Sequence, residues 1–427
     1  MILRRPLFLL AVMALALTAL GATALASAAP RPAPTSGWFK MHTGISTTLW
    51  AVDFPTYGKV GWAVGSSGTI LRTNDWGTTW HAQTSGTTQH LWNISAVSAS
   101  EAWVCGTNGT ILYTFNGGRD WHTQNSGTTQ NLSGISFSSA LEGWALGGDG
   151  NDVVVHTADG GGFWETKHCG LTEWYSDVAA PVDGSAWLVG LNGTIRLGAG
   201  GGTSWAPQAS GVASDLLAVT ANDASWAWAV GGGGTIRHTT NGGATWPGQT
   251  SGTSVALFDV DQVAAKWVWA VGPGTIVHTT DSGANWQTQA QPVIGFLRGV
   301  SCTSDDFAWA VGDGGVVLRT GTGGEIDAVK PVTKAPKAAS VIRNHTVKLA
   351  YRVNDAGSEA ATVTIKIRNG AGVLKKTLKL GIHWTNVTSL ASFRCALPKG
   401  VYRFTVYARD MGHNVATNLG SNKLTVK

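Results

Sequence analysis

Short apolar runs alternate along the chain with glycine punctuation, the pattern of β-strands joined by tight turns. One segment recurs: a Trp, a small residue, an apolar residue and Gly, then a further Gly and an apolar triplet. It begins at Trp62, Trp103, Trp144, Trp187, Trp228, Trp269 and Trp309, in steps of 41, 41, 43, 41, 41 and 40 residues. A period of about 41 residues fits a four-stranded blade, and seven copies fit one closed ring. In the first copy the runs predict strands at Leu49 to Val52, Gly61 to Val64, Thr69 to Arg72 and Thr79 to Gln83. The expected fold is all-β, a seven-bladed β-propeller over residues 37–324.

The seventh copy lacks a fourth strand, since Thr322 and Gly324 lead to Asp327 where a Trp is expected. The stretch from Gly37 through Trp38 to Gly44 has the spacing of Trp80 to Gly86, so an N-terminal strand is predicted to close the last blade and remove the open edge. Beyond the ring, residues 325–340 turn to Lys, Ala, Pro and Thr, a linker composition. Residues 341–427 then show alternation at Val347 to Val353, Val363 to Arg368 and Val401 to Ala408, with a hairpin signal at Asn369-Gly370. This segment reads as a β-sandwich and resembles the immunoglobulin- or fibronectin-like modules of bacterial surface proteins.

A turn of constant chemistry separates the third and fourth strands, running Thr73-x-Asp75-x-Gly77-x-Thr79-Trp80. It returns around Asn116, Asp159, Asn241 and Asp281, while the fourth copy has Gly198 and Gly200 in place of Thr and Asp. The Asp or Asn is suited to accept the turn's N–H groups, Gly supplies positive φ, and the Trp is expected to pack flat between sheets. This turn resembles the Asp-box of bacterial neuraminidase (BNR) repeats, and the whole blade is similar to the photosystem II stability/assembly factor-like family of propellers. The resemblance covers about residues 37 to 324. It implies the propeller fold; as to function, Asp-box propellers include glycosidases, sorting receptors and assembly factors.

Fourteen of the 21 Trp belong to the second and fourth strands and carry the blade lattice. Trp50, Trp92 and Trp174 fall at or beside first strands, which line a propeller's channel, with Tyr175, Phe258, Phe296 and Arg298. Residues Trp50, Trp92, Trp174, Tyr175, Phe258 and Arg298 are therefore the predicted ligand-binding face, suited to a protein or a carbohydrate. Nearby loops such as Thr87-Thr88-Gln89-His90 are rich in hydroxyls and amides.

Asp177 and Asp259 occupy equivalent first-strand positions two blades apart and are the catalytic candidates of a carboxylate-pair glycosidase, which needs carboxyls about 5 to 9.5 Å apart. Their expected role is structural, and no enzyme activity is expected. A neuraminidase-like site is disfavoured because Arg298 is the one arginine on a first strand. No cofactor or metal is expected: Asp149 to Asp152 departs from calcium-loop spacing, and His156, His238 and His278 are spread one per blade.

Arg4 and Arg5, an apolar run from Leu7 to Leu25 and small residues at Ala24, Ala26 and Ala28 read as a signal peptide over residues 1–29, followed by a linker at 30–36. The expected location is secreted or cell-surface, with no membrane span after cleavage. The four Cys show neither disulfide nor metal spacing. Charge divides the chain: Arg31 to Val329 holds 11 Lys and Arg against 22 Asp and Glu, a balance of −11, whereas Lys330 to Lys427 holds 17 against 3, a balance of +14. The basic module is expected to meet an anionic cell-wall polymer, and no nucleic-acid partner is expected. The functional expectation is a non-enzymatic scaffold at the envelope; its rivals are a secreted polysaccharide-acting glycoside hydrolase and a genuine photosystem II assembly factor.

Overall fold

The computed structural model describes residues 37–55, 59–148, 153–169, 174–264, 266–321, 330–355, 360–410 and 415–427. The signal peptide, the 30–36 linker and the Asp149 to Asp152 loop lie outside the described residues.

Seven antiparallel sheets follow the repeat. In blade 1, strands Leu49–Asp53, Gly61–Gly65, Ile70–Thr73 and His81–Gln83 pair in chain order from the axis outward. Blades 2 to 6 have inner strands Leu91–Ala96, Leu132–Phe137, Tyr175–Val182, Leu216–Ala221 and Asp259–Val263. Each inner strand contacts that of the next blade, and the inner strand of blade 7, Leu297–Cys302, returns to that of blade 1. The ring closes through the N-terminal strand Phe39–Met41, whose Phe39 pairs with Arg319 at the outer edge of blade 7.

Packing explains the Trp pattern, with one correction. The fourth-strand Trp does not lie flat. Trp80 and Trp164 stand edge-on to Phe54 and Phe137, which stack on Trp309 and Trp103. In blades 4 to 6 the Trp stands edge-on to the second-strand Trp of the preceding blade, Trp205 on Trp144, Trp246 on Trp187 and Trp286 on Trp228, at 77 to 84°. Trp38 makes the same contact with Trp269, at 5.3 Å and 86°, so the latch carries the seventh blade's seam as well as its edge. An edge-to-face pair sets ring hydrogens against the partner's π face, which the ring quadrupole favours. Blade 5 departs from the others: only a bridge from Arg237 to Gly248 remains of its fourth strand, because Pro247 beside it has no N–H to donate.

Residues 330–427 form a three-stranded and a five-stranded sheet around one core that includes Leu349, Tyr351, Ile365 and Phe404. The sandwich begins inside the stretch that composition assigns to a linker. Val332–Lys334 is an edge strand paired with residues 352–354, and buried Thr333 donates to Val406 O at 2.8 Å while accepting from Gly420 N. That pairing anchors a segment whose Lys and Pro content reads as unstructured. Among the described residues, no helix is long and apolar enough to cross a membrane.

Candidate functional site at the channel mouth

The glycine ending each second strand builds the mouth. A Cβ at Gly65, Gly106, Gly190 or Gly312 would lie 2.0 to 2.3 Å from the carbonyl oxygen of Thr48, His90, Trp174 or Phe296, the residue entering the same blade's inner strand. That carbonyl accepts from the N–H just after the glycine, as in Ser66 N to Thr48 O at 3.0 Å and Asp313 N to Phe296 O at 3.1 Å. Only glycine permits so close a crossing.

One residue further in, pairing skips a position between Leu49 and Ala51, Leu91 and Asn93, and Leu297 and Gly299, and likewise in blades 3 to 5. A bulge re-aims the extra side chain. The bulged residues are Trp50, Trp92, Ser133, Ser176, Leu217 and Arg298, with Phe258 in the equivalent place of blade 6, all half-buried.

Three blades concentrate the chemistry. The Arg298 guanidinium lies 4.4 Å from the Trp50 ring centre, 5.3 Å from Phe296 and 5.9 Å from Phe258. Its Nε and Nη2 donate to the two carboxylate oxygens of Asp313 at 2.7 and 3.0 Å. Thr48 donates to the same carboxylate from blade 1, and Trp50 Nε1 donates to Ser66 Oγ at 3.0 Å. Phe258 and Phe296 stack at 6.2 Å. The fork geometry and the surrounding π faces hold the arginine as a rigid post, its charge offset by Asp313. The loops entering blades 6 and 7 expose Val255, three residues before Phe258, and Ile294, two before Phe296 and 96% exposed.

The predicted face is thus only partly assembled. Trp50, Phe258 and Arg298 meet, with Phe296. Trp92 occupies the bulge of blade 2, and Trp174 precedes the inner strand of blade 4. Tyr175 is fully buried at the seam between blades 3 and 4, packed with Trp144 and Leu146, because it fills the site that Leu49 and Leu91 hold elsewhere. The loop hydroxyls are largely occupied locally: Thr87 Oγ1 accepts from Gln89 N at 3.1 Å, and Gln89 Oε1 accepts from Thr107 and Asn108. Sequence reasoning missed Asp313, Val255 and Ile294. Aligning the copies pairs Arg298 with Asp313, which replaces Ser66 at the head of the second turn.

Below the mouth, side-chain acceptors stitch inner strands together. Asp53 Oδ2 accepts from Ala96 N at 2.6 Å, Asp177 Oδ2 from Val219 N at 3.0 Å, and Asp259 and Asp261 from Val300 and Cys302 N at 2.8 Å each. Ser95, Ser136 and Ser301 do the same toward Phe137, Ala180 and Phe54. Blade 6 reaches back to blade 5 through the Gln262 amide oxygen, which accepts from Ala221 and Asn222 N. Every blade junction thereby carries a clasp. Asp177 also accepts from Asn93 Nδ2 of blade 2 at 3.3 Å, reaching past Gly134, where a Cβ would sit 3.0 Å from Asp177 Oδ1.

Burial raises these carboxyls: Asp53 to about 7, Asp177 and Asp261 to about 6, and Asp259 well above its ordinary value, the charge of Asp177 adding to the effect. Both catalytic candidates hold backbone N–H groups of the next blade.

The Asp-boxes lie between third and fourth strands, at the other end of the blades from the mouth. Asp75 Oδ1 accepts from Thr79 N at 2.8 Å, and Asn116, Asp159, Asn241 and Asp281 accept equivalently at 2.9 to 3.1 Å. Gly77 has φ +72°. His238 and His278 stack on Trp228 and Trp269 of their own blades, and His156 pairs with Glu142 at 2.6 Å. Among the described residues no three His, Cys, Asp or Glu gather as a metal group, and all four Cys are buried.

Fold and boxes together define a strand-latched Asp-box propeller with an aromatic rim. Residues 31–124 and 85–169 match the family model described as Photosynthesis system II assembly factor YCF48, and over that part the chain resembles this photosystem II assembly factor-like BNR propeller family. The solved structure of YCF48 bound to D1 peptide is similar with TM-score 0.56 at 20% identity, covering 66% of this chain and 96% of that one. YCF48 from Cyanidioschyzon merolae gives 0.56 at 21%, covering 66% and 98%. The extracellular domain of a hybrid two component system from B. thetaiotaomicron gives 0.51 at 12%, covering 92% of this chain and 57% of its own. No curated protein matches the sequence.

Proposed function

We propose that the protein is a non-enzymatic scaffold of the cell envelope whose propeller mouth captures an extended segment of a protein partner. The observation that carries the reading is the rim of blades 6, 7 and 1, where Trp50, Phe258 and Phe296 surround the Arg298 post and the loops entering blades 6 and 7 expose Val255 and Ile294. Rigid aromatic surface with apolar neighbours and a fixed cation suits side chains of a peptide, at small entropic cost to the receptor. The D1 peptide held by a YCF48 of the same fold supports a polypeptide occupant. The N-terminal apolar segment supports export. Assignment of Asp177 and Asp259 to blade clasps supports a binding role over hydrolysis.

Panning a displayed peptide library on the full chain tests this. Retained peptides should carry apolar or aromatic residues, and a Phe296→Ala/Ile294→Ser variant should lose them at least tenfold. Retention untouched by that variant, or release of sugars from envelope glycans, overturns the proposal.

A further inference from the structure

The sandwich carries a second surface, independent of the propeller mouth. In its five-stranded sheet the inward side chains of residues 360–369 and 400–410 fill the core, and the outward ones face solvent. On that outer face the register sets Arg368 opposite Arg403, and Arg403 opposite Lys423. Three cations thus stand in one row across three adjacent strands, about 5 Å apart from strand to strand. Lys366, Lys379 and Arg409 extend the same face, opposite Thr405, Thr364 and Thr362.

Nothing acidic answers them. Of the three acids in residues 330–427, Asp355 and Asp410 are buried, at 5% and 2% exposure, and Glu359 lies outside the described residues. Among the described residues, none of these six cations is in an ion pair. The cations lean on neutral partners instead: Arg403 donates to Ser421 Oγ, Arg368 to Gly372 O, and Lys366 lies 4.6 Å from the Tyr407 ring. Like charges directly opposite in a sheet are destabilising, so a row of them is a cost that solubility alone does not require.

We propose that this face binds a linear, base-free polymer of repeating anionic phosphates laid along the row from Lys423 through Arg403 to Arg368. Two guanidinium forks match phosphate oxygens in pairs, and the interleaved threonines and Ser421 supply further donors. Tyr407, the aromatic ring among these outward residues, is covered by Lys366, which leaves no platform for the stacked bases of a nucleic acid. Thr362, Thr364 and Thr405 stand between the cations and offer hydroxyls to successive phosphates of a polymer, while exposed Leu374, opposite Arg368, and Val401, beside Arg403, make the lipid comparison a required control.

The test uses the full chain and long-chain inorganic polyphosphate, with affinity followed from about 50 to 300 mM salt. The logarithm of affinity should fall with that of salt at a slope of about −2 to −3, as three displaced counterions require. Arg368→Gln/Arg403→Gln/Lys423→Gln should weaken binding at least tenfold at low salt and flatten that slope. Lys334→Gln/Lys348→Gln/Arg394→Gln, on the other sheet, should bind nearly as the parent. The first triple variant should also melt no lower than the parent, because it relieves repulsion. Equal losses in both triples, equal binding of orthophosphate, or tighter binding to single-stranded DNA or to anionic phosphatidylglycerol vesicles overturns the proposal.

Discussion

Replacing Asp53 with Asn should stabilise the protein at pH 8 and do so much less at pH 5. The Asp53 carboxylate clasps Ala96 N of the next blade, yet burial lifts it from 3.8 to about 7, with the charge of Asp261 contributing. A carboxyl whose folded value is raised binds a proton that the unfolded chain releases, so its ionisation costs stability as pH rises from about 4 to 7. A shift of roughly three units is worth about 4 kcal/mol. The side chain keeps partial contact with channel solvent, so half of that, about 2 kcal/mol, is the working figure. Asn is neutral at every pH and retains an oxygen for Ala96 N. His238 and His278, lowered to about 4 by burial, act in the opposite sense: their stabilisation is lost as pH falls below 6.5. The readout is therefore the difference between variant and parent in denaturant unfolding at pH 5 and at pH 8, where the histidine contribution cancels. That difference should rise from a little under about 1 kcal/mol at pH 5 to about 2 kcal/mol at pH 8, the latter roughly 4 °C in melting temperature. A difference independent of pH, or one that favours the parent at pH 8, would refute the reasoning.

The closure predicts that deleting residues 37–44 lowers the propeller's melting temperature far more than deleting 332–427, as scanning calorimetry would show; Trp38→Ala alone should cost about 3 to 5 kcal/mol, comparable to Trp246→Ala. Asp75→Ala should cost about 1 to 2 kcal/mol through the lost acceptors of Thr79 N and Thr79 Oγ1, whereas Asp75→Asn should be nearly neutral because Asn116 and Asn241 serve the same turn. Gly134→Val should destabilise by about 1 to 3 kcal/mol by crowding Asp177 out of reach of Asn93, with thermal unfolding as the check.

The repeat, its count and the missing strand of the last copy were legible in the sequence, because blade strands and box turns are local: apolar runs, Gly for positive φ, and an Asp or Asn two residues after a Thr carry their own geometry. The two-sided core of the C-terminal module was equally legible from its alternation. The mouth was not. Trp50 lies more than 200 residues from Phe258 and Arg298, and only ring closure brings blade 1 against blade 7. Tyr175 shows the converse. Its identity suggests a rim residue, but the side chain takes the place of a leucine at a blade seam, a choice made by the position of the bulge one residue later. The carboxylate clasps and the cation row share that dependence. A side chain's neighbours across a seam or a ladder are set by register between distant strands, and register is a property of the packed whole rather than of any segment.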